Sequence, residues 1–227
     1  MTLYFSHIQL AQNPSARALA ALLRPAETGE RVSAQHHLLW SAFSDSAERK
    51  RDFLWREERD GSFLTLSARP PVQTDLFQPH QVKLYAPDLV PGQQLDFLLR
   101  ANATRMRRIG VRKGKREDII KASIDVLEQH DRAGKRMEIA TTEGRAWLER
   151  QGEKSGFMVV TAVAEDYRTL SLPRPGASYR NAMTLGVLDL TGRIEIIDPA
   201  LFLTQMAQGF GRAKSFGCGL MLVRRPR

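Results

Sequence analysis

The spacing of hydrophobic residues is most regular in the C-terminal part of the chain, from residue 94 onward. There Leu95, Phe97 and Leu99 alternate with other residues, as the inward-facing side chains of a half-buried strand do. The predicted elements are a strand at 94–102, helices at 117–130 and 142–150, strands at 157–163 and 183–190, a helix at 198–208 and a strand at 218–223. We expect Gly152 to cap the second helix. This order is that of a ferredoxin-like βαββαβ domain, the architecture of RNA-recognition modules.

The N-terminal part fits the same architecture less completely. Asp60-Gly61 lies between two apolar runs and predicts a tight hairpin, but no second helix is evident in this half. The predicted elements are a strand at 3–10, a helix that starts at 13–15, a helix at 31–43, hairpin strands at 53–59 and 62–69 and a strand at 81–85. With a linker at 87–92, we predict an α+β protein of two tandem ferredoxin-like (RRM-like) domains. Their expected bounds are residues 1–89 and 90–227.

Composition narrows the class of partner. The chain has 227 residues, 42% of them hydrophobic, which is enough for a substantial core. Its net charge of +9 favours a polyanion, because phosphates that are neutralised by the protein release their counterions. One cysteine cannot form an internal disulfide, which agrees with a reducing compartment. The sequence has neither a signal-peptide pattern nor the ~18 consecutive apolar residues of a membrane helix, so we expect a cytoplasmic protein with no membrane partner.

A glycine-rich segment lies between the last predicted helix and the last predicted strand. It has the sequence Gly209-Phe210-Gly211-Arg212-Ala213-Lys214-Ser215-Phe216-Gly217-Cys218-Gly219-Leu220. Exposed N–H groups in such a loop form a concavity for anions, and Arg212 and Lys214 add positive charge. We therefore expect Gly209, Gly211 and Gly217 to shape a phosphate-binding loop, although a turn that only reverses the chain is the alternative. Neither a P-loop nor a dinucleotide fingerprint fits the spacing, so no nucleotide cofactor is expected.

A second cationic segment follows the strand predicted at 94–102. It contains seven cations and no acid, namely Arg105, Arg107, Arg108, Arg112, Lys113, Lys115 and Arg116. Gly110 and Gly114 predict a mobile loop here. A run of charges is usually a solvated surface, and that alternative stays open. In a basic ferredoxin-like domain, however, arginines on such a loop could bind the phosphates of an RNA stem.

Two adjacent histidines are the candidates for acid–base chemistry. On a helix they point about 100° apart, so His36 lies at the edge of the apolar face and His37 points toward solvent. A histidine at a core edge is usually a hydrogen-bonded packing residue, which is the alternative to catalysis. The ordinary pKa of histidine, about 6.5, suits proton transfer near neutral pH. The sequence has no cluster with metal-ligand spacing, so no metal is expected.

The glycine-rich segment resembles the C-terminal motif of the CRISPR-associated RNA-processing endoribonucleases, and it is most similar to the CasE family, which serves the type I-E surveillance complex. Leu98-Leu99-Arg100-Ala101-Asn102 and His36-His37-Leu38-Leu39-Trp40 match that family in sequence and order. The resemblance extends over nearly the whole chain. It implies two ferredoxin-like domains and a catalytic histidine four residues before Trp40, which is His36. Family members often have a helper tyrosine three residues before this histidine, where this chain has Ser33.

The resemblance also implies a function. It indicates a metal-independent endoribonuclease that binds the CRISPR repeat hairpin in precursor RNA, cleaves at the base of the hairpin and leaves 2′,3′-cyclic phosphate and 5′-hydroxyl ends. Arg212 and Lys214 would contact phosphate, and the other subunits of a type I-E complex are the expected protein partners. Because Ser33 replaces the usual tyrosine, a catalytically silent RNA-binding subunit is the first alternative. A ferredoxin-like adaptor whose basic loop meets an acidic protein is the second.

Overall fold

The described part of the chain contains ten strands and five helices. The computed structural model describes residues 2–18, 25, 27–44, 51–109, 112–172 and 182–226, with only the backbone described for Ser15, Arg108, Ile109, Arg112 and Lys113. The strands are β1 (Tyr4–Ile8), β2 (Phe53–Glu57), β3 (Phe63–Ser67), β4 (Gln81–Leu84), β5 (Gln94–Ala101), β6 (Thr104–Ile109), β7 (Arg112–Asp118), β8 (Phe157–Leu172), β9 (Met183–Ile196) and β10 (Met221–Arg224). The helices are α1 (Pro14–Ala18), α2 (Thr28–Phe43), α3 (Ile119–Asp125), α4 (Arg132–Ser155) and α5 (Pro199–Gln208).

The first sheet uses the strands of the N-terminal half. Its order is β2-β3-β1-β4, and all neighbouring strands are antiparallel, which is the ferredoxin-like arrangement. The expected hairpin joins β2 to β3, with Gly61 at φ +79° and the Asp60 side chain accepting a hydrogen bond from the Ser62 N–H at 2.9 Å. Residues 68–80, all of them described, contain no helix, so an extended segment stands where a second helix would be expected.

The second sheet repeats the arrangement with the strands of the C-terminal half. Its order is β10-β5-β9-β8, again antiparallel, with α3, α4 and α5 in the connections. Burial of Leu99, Ile194 and Phe202 places the core between the sheet and these helices. The predicted tandem ferredoxin-like fold is therefore confirmed.

Three of the predicted helices have different bounds in the structure, and the one expected at 31–43 starts earlier, at Thr28. The helix expected at 117–130 is shorter, because the Asp118 side chain caps it at Ile119 and it ends at Asp125. The helix expected at 142–150 runs instead from Arg132 to Ser155, and Gly156, at φ +71°, ends it. Gly152 is thus not the cap. A Cβ at Gly152 would lie 2.4 Å from the carbonyl oxygen of Phe157, so its glycine lets the helix pack on the start of β8.

Strand lengths also differ from the sequence-based expectations. Strands β8 and β9 extend beyond the predicted ranges to form a long two-stranded ribbon. The last strand begins at Met221 rather than at Cys218. The reason is Gly219, which has φ +96° and donates its N–H to the carbonyl oxygen of Arg100 at 2.7 Å, so the preceding residues belong to the loop.

The basic segment is a β-hairpin, which corrects the prediction of a mobile loop. Strands β6 and β7 pair antiparallel, with Arg105 opposite Glu117 and Arg107 opposite Lys115. Backbone hydrogen bonds between the two strands explain why this segment is ordered. They satisfy the N–H and C=O groups even though the side chains are largely solvated. Gly114 permits close pairing, because a Cβ there would lie 2.7 Å from the Arg107 carbonyl oxygen. Gly110, the other glycine on which the prediction of a mobile loop rested, lies outside the described residues.

The two halves pack directly against each other. Leu3, Leu54 and Leu66 of the first half form one buried cluster with Leu220 of the second. Tyr85 packs against the second core although it precedes the predicted linker. The division into 1–89 and 90–227 stays a prediction. Within the described residues, no helix combines the length and hydropathy that crossing a membrane requires.

Candidate functional site

Backbone hydrogen bonds attach the glycine-rich loop, residues 209–220, to the second sheet. The Phe210 N–H donates to the Gly219 carbonyl at 2.9 Å, which closes the loop on itself. The Gly219 and Arg212 N–H groups donate to the carbonyls of Arg100 and Asn102, at 2.7 and 3.4 Å. The loop is therefore held in one position beside β5.

The glycines of this loop are needed for both φ and close approach. Gly209, Gly211, Gly217 and Gly219 all have positive φ, at 78°, 75°, 72° and 96°. A Cβ on Gly211 would lie 2.9 Å from the Asn102 carbonyl oxygen and 3.1 Å from the Trp147 ring. A Cβ on Gly217 would lie 3.2 Å from the ring of Trp55, a residue of the first sheet. The loop thus fits into the junction between the two halves.

The cationic part of the loop has the backbone of an anion-binding concavity. Ala213 is the one non-glycine residue with positive φ among those described, at 54°, and a 3-10 turn over Lys214–Phe216 follows it. The N–H groups of Lys214 and Ser215 have no hydrogen-bond partner within the described residues. Left-handed and right-handed residues in succession orient such N–H groups toward one point, where an anion can bind.

Helix α2 places the two histidines as predicted. His37 is exposed, and His36 is half-buried beside Trp40, with 6.0 Å between the ring centroids. His36 Nε2 is buried and has no hydrogen-bond partner among the described residues. Burial, followed by the charges of His37 and Arg51, lowers the pKa of His36 to about 4. Its imidazole is therefore neutral near pH 7 and can accept a proton.

The loop and α2 lie close together. The 3-10 turn of the loop packs against α2, and Phe216 packs in a buried cluster with Val32 of that helix. Arg51 links the two electrostatically, because its charge contributes to lowering the pKa of both His36 and Lys214. The structure thus brings His36 and Lys214 into one region. Ser33, one turn before His36 on α2, is half-buried there too.

This region is cationic, which favours an anionic ligand electrostatically. Burial is the largest cause that lowers the pKa of Lys214, and the charges of Arg51 and Arg212 follow. None of these three cations forms an ion pair with a described acid. A neutral imidazole beside several cations is suited to proton transfer at a phosphodiester, whose developing negative charge the cations would stabilise. Among the described residues, no group of three or more His, Cys, Asp or Glu could hold a metal ion.

The motif at 98–102 positions the loop instead of contributing free charge. Arg100 pairs with Asp189 at 2.8 Å, and Asp189 also accepts a hydrogen bond from Arg168 at 2.9 Å. The Asn102 side chain donates to the Gly186 carbonyl at 2.8 Å. The backbone carbonyl groups of this segment accept hydrogen bonds from N–H groups of the loop, so the motif holds the loop in place.

The β6–β7 hairpin begins next to the glycine-rich loop, but its cationic side chains are exposed to solvent. Asn102, which bridges to Arg212, is followed after one residue by β6. Arg107 and Lys115 face the same side, where Glu117 pairs with Arg105 at 2.8 Å. Lys115 and Arg116 lie on the projecting part of the hairpin, and the side chains of Arg108, Arg112 and Lys113 lie outside the described residues. The hairpin is thus a projecting cationic surface.

Sequence reasoning missed Arg51 and its partner Ser215. Arg51 Nη1 donates to Ser215 Oγ at 3.0 Å, across 164 residues of sequence. The available signal was the basic triplet Arg49-Lys50-Arg51, which is separated from β2 by Asp52. Nothing in the local pattern indicates that the last of these residues turns back to the glycine-rich loop.

Fold and site together define the class of this protein: two tandem ferredoxin-like domains with a glycine-rich loop packed beside a histidine-bearing helix. The chain belongs to the family described as CRISPR associated protein, which matches residues 3–225. The resemblance noted in the sequence is thereby confirmed.

Individual relatives and a solved structure support the same family assignment. The chain is 27% identical over 243 residues to CRISPR-associated endoribonuclease Cse3 of Thermus thermophilus, with 95% of this chain and 97% of the relative covered. It is 30% identical over 197 residues to the CRISPR system Cascade subunit CasE of Escherichia coli (strain K12), covering 82% and 88%. A structure of CRISPR endoribonuclease Cse3 bound to 19 nt RNA has a TM-score of 0.69 and 25% identity, over 98% of this chain and 99% of the other.

Proposed function

We propose that this protein is an endoribonuclease that binds the CRISPR repeat hairpin in precursor RNA and cleaves it at the base of the hairpin. One observation carries the proposal: His36, Arg51 and Lys214 lie together in a half-buried region, and neither cation forms an ion pair with a described acid. Such a region favours a phosphodiester and contains a group that can move a proton. The relatives named as CRISPR endoribonucleases support the same chemistry.

The reaction needs no metal if the substrate supplies its own nucleophile. His36 takes the proton of the 2′-hydroxyl, whose oxygen attacks the adjacent phosphorus. The bond to the 5′-oxygen breaks as that oxygen takes a proton from solvent water, and His36 then releases its proton to solvent. The products are a 2′,3′-cyclic phosphate and a 5′-hydroxyl. With its pKa lowered to about 4, the His36 imidazole is unprotonated near pH 7 in the free protein, which is the form that a base requires. Lys214 and Arg212 contact the phosphate, and Ser33 assists as a hydrogen-bond donor in place of a phenol.

RNA would be bound by two surfaces. The cations of the hairpin bind the phosphates of the RNA stem, which is recognised by its shape. The expected RNA contacts are Arg105, Arg107, Arg108, Arg112, Lys113, Lys115 and Arg116 on the hairpin and Gly209, Gly211, Arg212, Lys214 and Gly217 on the loop. In the cell, the protein would act in the cytoplasm and join the other subunits of a type I-E surveillance complex, as the relative named a Cascade subunit supports.

A second function is favoured by one residue. Ser33 cannot replace a phenol fully, because its hydroxyl is shorter and far less acidic. The chain would then be a catalytically silent RNA-binding subunit with the same fold.

The test is a gel with labelled repeat RNA from the host of this protein, with and without EDTA. Cleavage that EDTA leaves unchanged supports the metal-independent enzyme. A mobility shift without cleavage indicates the silent subunit. Neither a shift nor cleavage would contradict RNA binding and favour a protein adaptor.

Replacing Gly211 with valine should weaken both the fold and RNA binding. A side chain at φ +75° is strained by roughly 1–2 kcal/mol, and its Cβ would displace Asn102 or Trp147. The melting temperature and the Kd for the repeat hairpin measure the two effects. Gly92→Val is the matched control, since Gly92 has φ +81° with no atom within 4 Å of the added Cβ. It should lose some stability and keep full affinity. Full affinity in Gly211→Val as well would mean that the loop is only a turn.

Removing two cations from the hairpin should weaken RNA binding and make it less sensitive to salt. In Arg107→Ala/Lys115→Ala, the slope of log Kobs against log salt should shrink by about one for each phosphate that the variant no longer neutralises. Both residues share one face of the hairpin. The control is Arg145→Ala/Lys154→Ala, which removes the same charges from α4 and should leave the slope unchanged. Equal slopes in all three proteins would exclude this face from the RNA interface.

A further inference from the structure

Arg51 is held in a defined place between the two halves of the molecule. It stands two positions before the first residue of β2, and its Nη1 donates to Ser215 Oγ at 3.0 Å. Ser215 lies in the 3-10 turn of the glycine-rich loop. A hydrogen bond over 164 residues of sequence fixes the guanidinium at the position where α2 and the loop meet. The position of the Arg51 guanidinium therefore depends on tertiary contacts between distant parts of the chain.

The charge of Arg51 is not neutralised by the described part of the protein. The neighbouring carboxylate, Asp52, pairs with Arg69 at 2.7 Å, and no described acid forms an ion pair with Arg51. The groups that Arg51 does influence are His36 and Lys214, whose pKa values it lowers. A half-buried cation beside other cations repels them, and an anion that binds among them relieves that repulsion.

We propose that Arg51 is a further catalytic residue, which contacts the phosphate at the cleaved bond and stabilises the charge that builds on its non-bridging oxygens. The inference rests on the proposed endoribonuclease function. Arg51 exchanges no proton: the 2′-hydroxyl proton goes to His36, the bond from the 2′-oxygen to phosphorus forms, and the bond to the 5′-oxygen breaks as that oxygen takes a proton from solvent water. Ser215 is a positioning residue, because its hydroxyl orients the guanidinium.

Arginine suits this role better than the loop cations do. Its guanidinium stays charged at any working pH and presents N–H groups in a planar fork that matches two phosphate oxygens. Burial lowers the pKa of both Arg51 and Lys214. The ordinary pKa of arginine is higher, however, and Lys214 has only a single ammonium group. Arg212 stands at the start of the loop turn, which suits binding of the RNA backbone.

The test compares single-turnover cleavage of the repeat hairpin by the whole protein and its variants. Arg51→Ala should reduce the rate by about 10²–10³-fold, as removal of a positioned charge-stabilising donor does, while hairpin affinity falls by less than roughly tenfold. Arg51→Lys should recover part of the rate and Arg51→Gln little, because charge is the operative property. Ser215→Ala should lose less than Arg51→Ala. Arg145→Ala, which removes a charge from the exposed Arg145–Glu149 pair, should cut like wild type.

Two further readouts separate this role from a structural one. Removing Arg51 should raise the pKa of His36, because a nearby positive charge disfavours the imidazolium. The acid limb of the cleavage rate, measured at subsaturating protein, should therefore move to higher pH in Arg51→Ala and Arg51→Gln. The melting temperature should not fall, since repulsion of Lys214 is relieved.

Three results would overturn the proposal. One is cleavage by Arg51→Ala and Arg51→Gln within roughly threefold of wild type, far less than a charge-stabilising donor supplies. Another is a loss of rate with a lowered melting temperature and an unmoved acid limb, which would make Arg51 structural. The third is a wild-type protein that binds the hairpin and never cuts it, which would reject the proposed function and this role together. Because the first two require an active wild type, the failure of Arg51 alone is distinguishable from failure of the enzyme.

Discussion

Alanine in place of His36 should reduce the cleavage rate by about 10²–10⁴-fold or more, because proton transfer by a positioned side chain typically contributes that factor. Hairpin affinity should change little, since one neutral imidazole adds little beside many phosphate contacts. The measurement is single-turnover cleavage of the labelled repeat, with Kd from a gel shift in parallel.

His37→Ala is the matched control for that variant. The two residues are adjacent on α2, with 5.7 Å between their ring centroids, but His37 is exposed whereas His36 is half-buried. Its removal should leave the rate nearly normal, and it should slightly raise the pKa of His36, because the charge of His37 contributes to lowering it. Full activity of His36→Ala, or an equal loss in both variants, would contradict the role of His36.

A substrate with a 2′-deoxy sugar immediately upstream of the cleaved bond should bind and remain intact. The nucleophile of the proposed reaction is that 2′-hydroxyl, so its removal abolishes the reaction entirely and does not merely slow it. The deoxy sugar leaves the phosphate in place, so Kd should stay close to that of the all-RNA hairpin. The measurement is a long incubation of wild type with the single-deoxy hairpin.

The matched control is a hairpin with the deoxy sugar one nucleotide further upstream, which should be cut normally. Cleavage of the first substrate would show that water, and not the sugar, attacks the phosphorus. The mechanism would then be wrong even if His36 were essential.

Much of the architecture could be predicted because it follows from local patterns. Alternation in β5, the Asp60-Gly61 turn and the helix predicted at 198–208 each depend on a few contiguous residues, and the structure has all three where they are expected. That helix begins where the Asp198 side chain accepts hydrogen bonds from the N–H groups of Ala200 and Leu201. The first and last residues of the helices were less predictable. The start of α4 and its end at Gly156 depend on packing against the sheet, and Gly152 looks like a helix stop in sequence although it is a packing contact.

The basic segment shows why the same residues can indicate the wrong structure. Seven cations with two glycines have the composition of a solvated loop. In the fold, Thr104 and Asp118 stand opposite each other at the base, and backbone pairing then extends along the charged strands. Pairing between two strands depends on register, and charge composition does not specify register.

By itself, the sequence determined the class of fold, the family and the principal candidate residues, because periodicity, turn chemistry and the glycine-rich motif are properties of contiguous segments. Only the tertiary structure decided which candidates work together. It brought the 3-10 turn of the loop to α2, assigned Arg100 to an internal ion pair and turned Arg51 toward Ser215. These contacts join residues from opposite ends of the chain, and they arise when the two halves bury their apolar surfaces against each other, a step that no local pattern records.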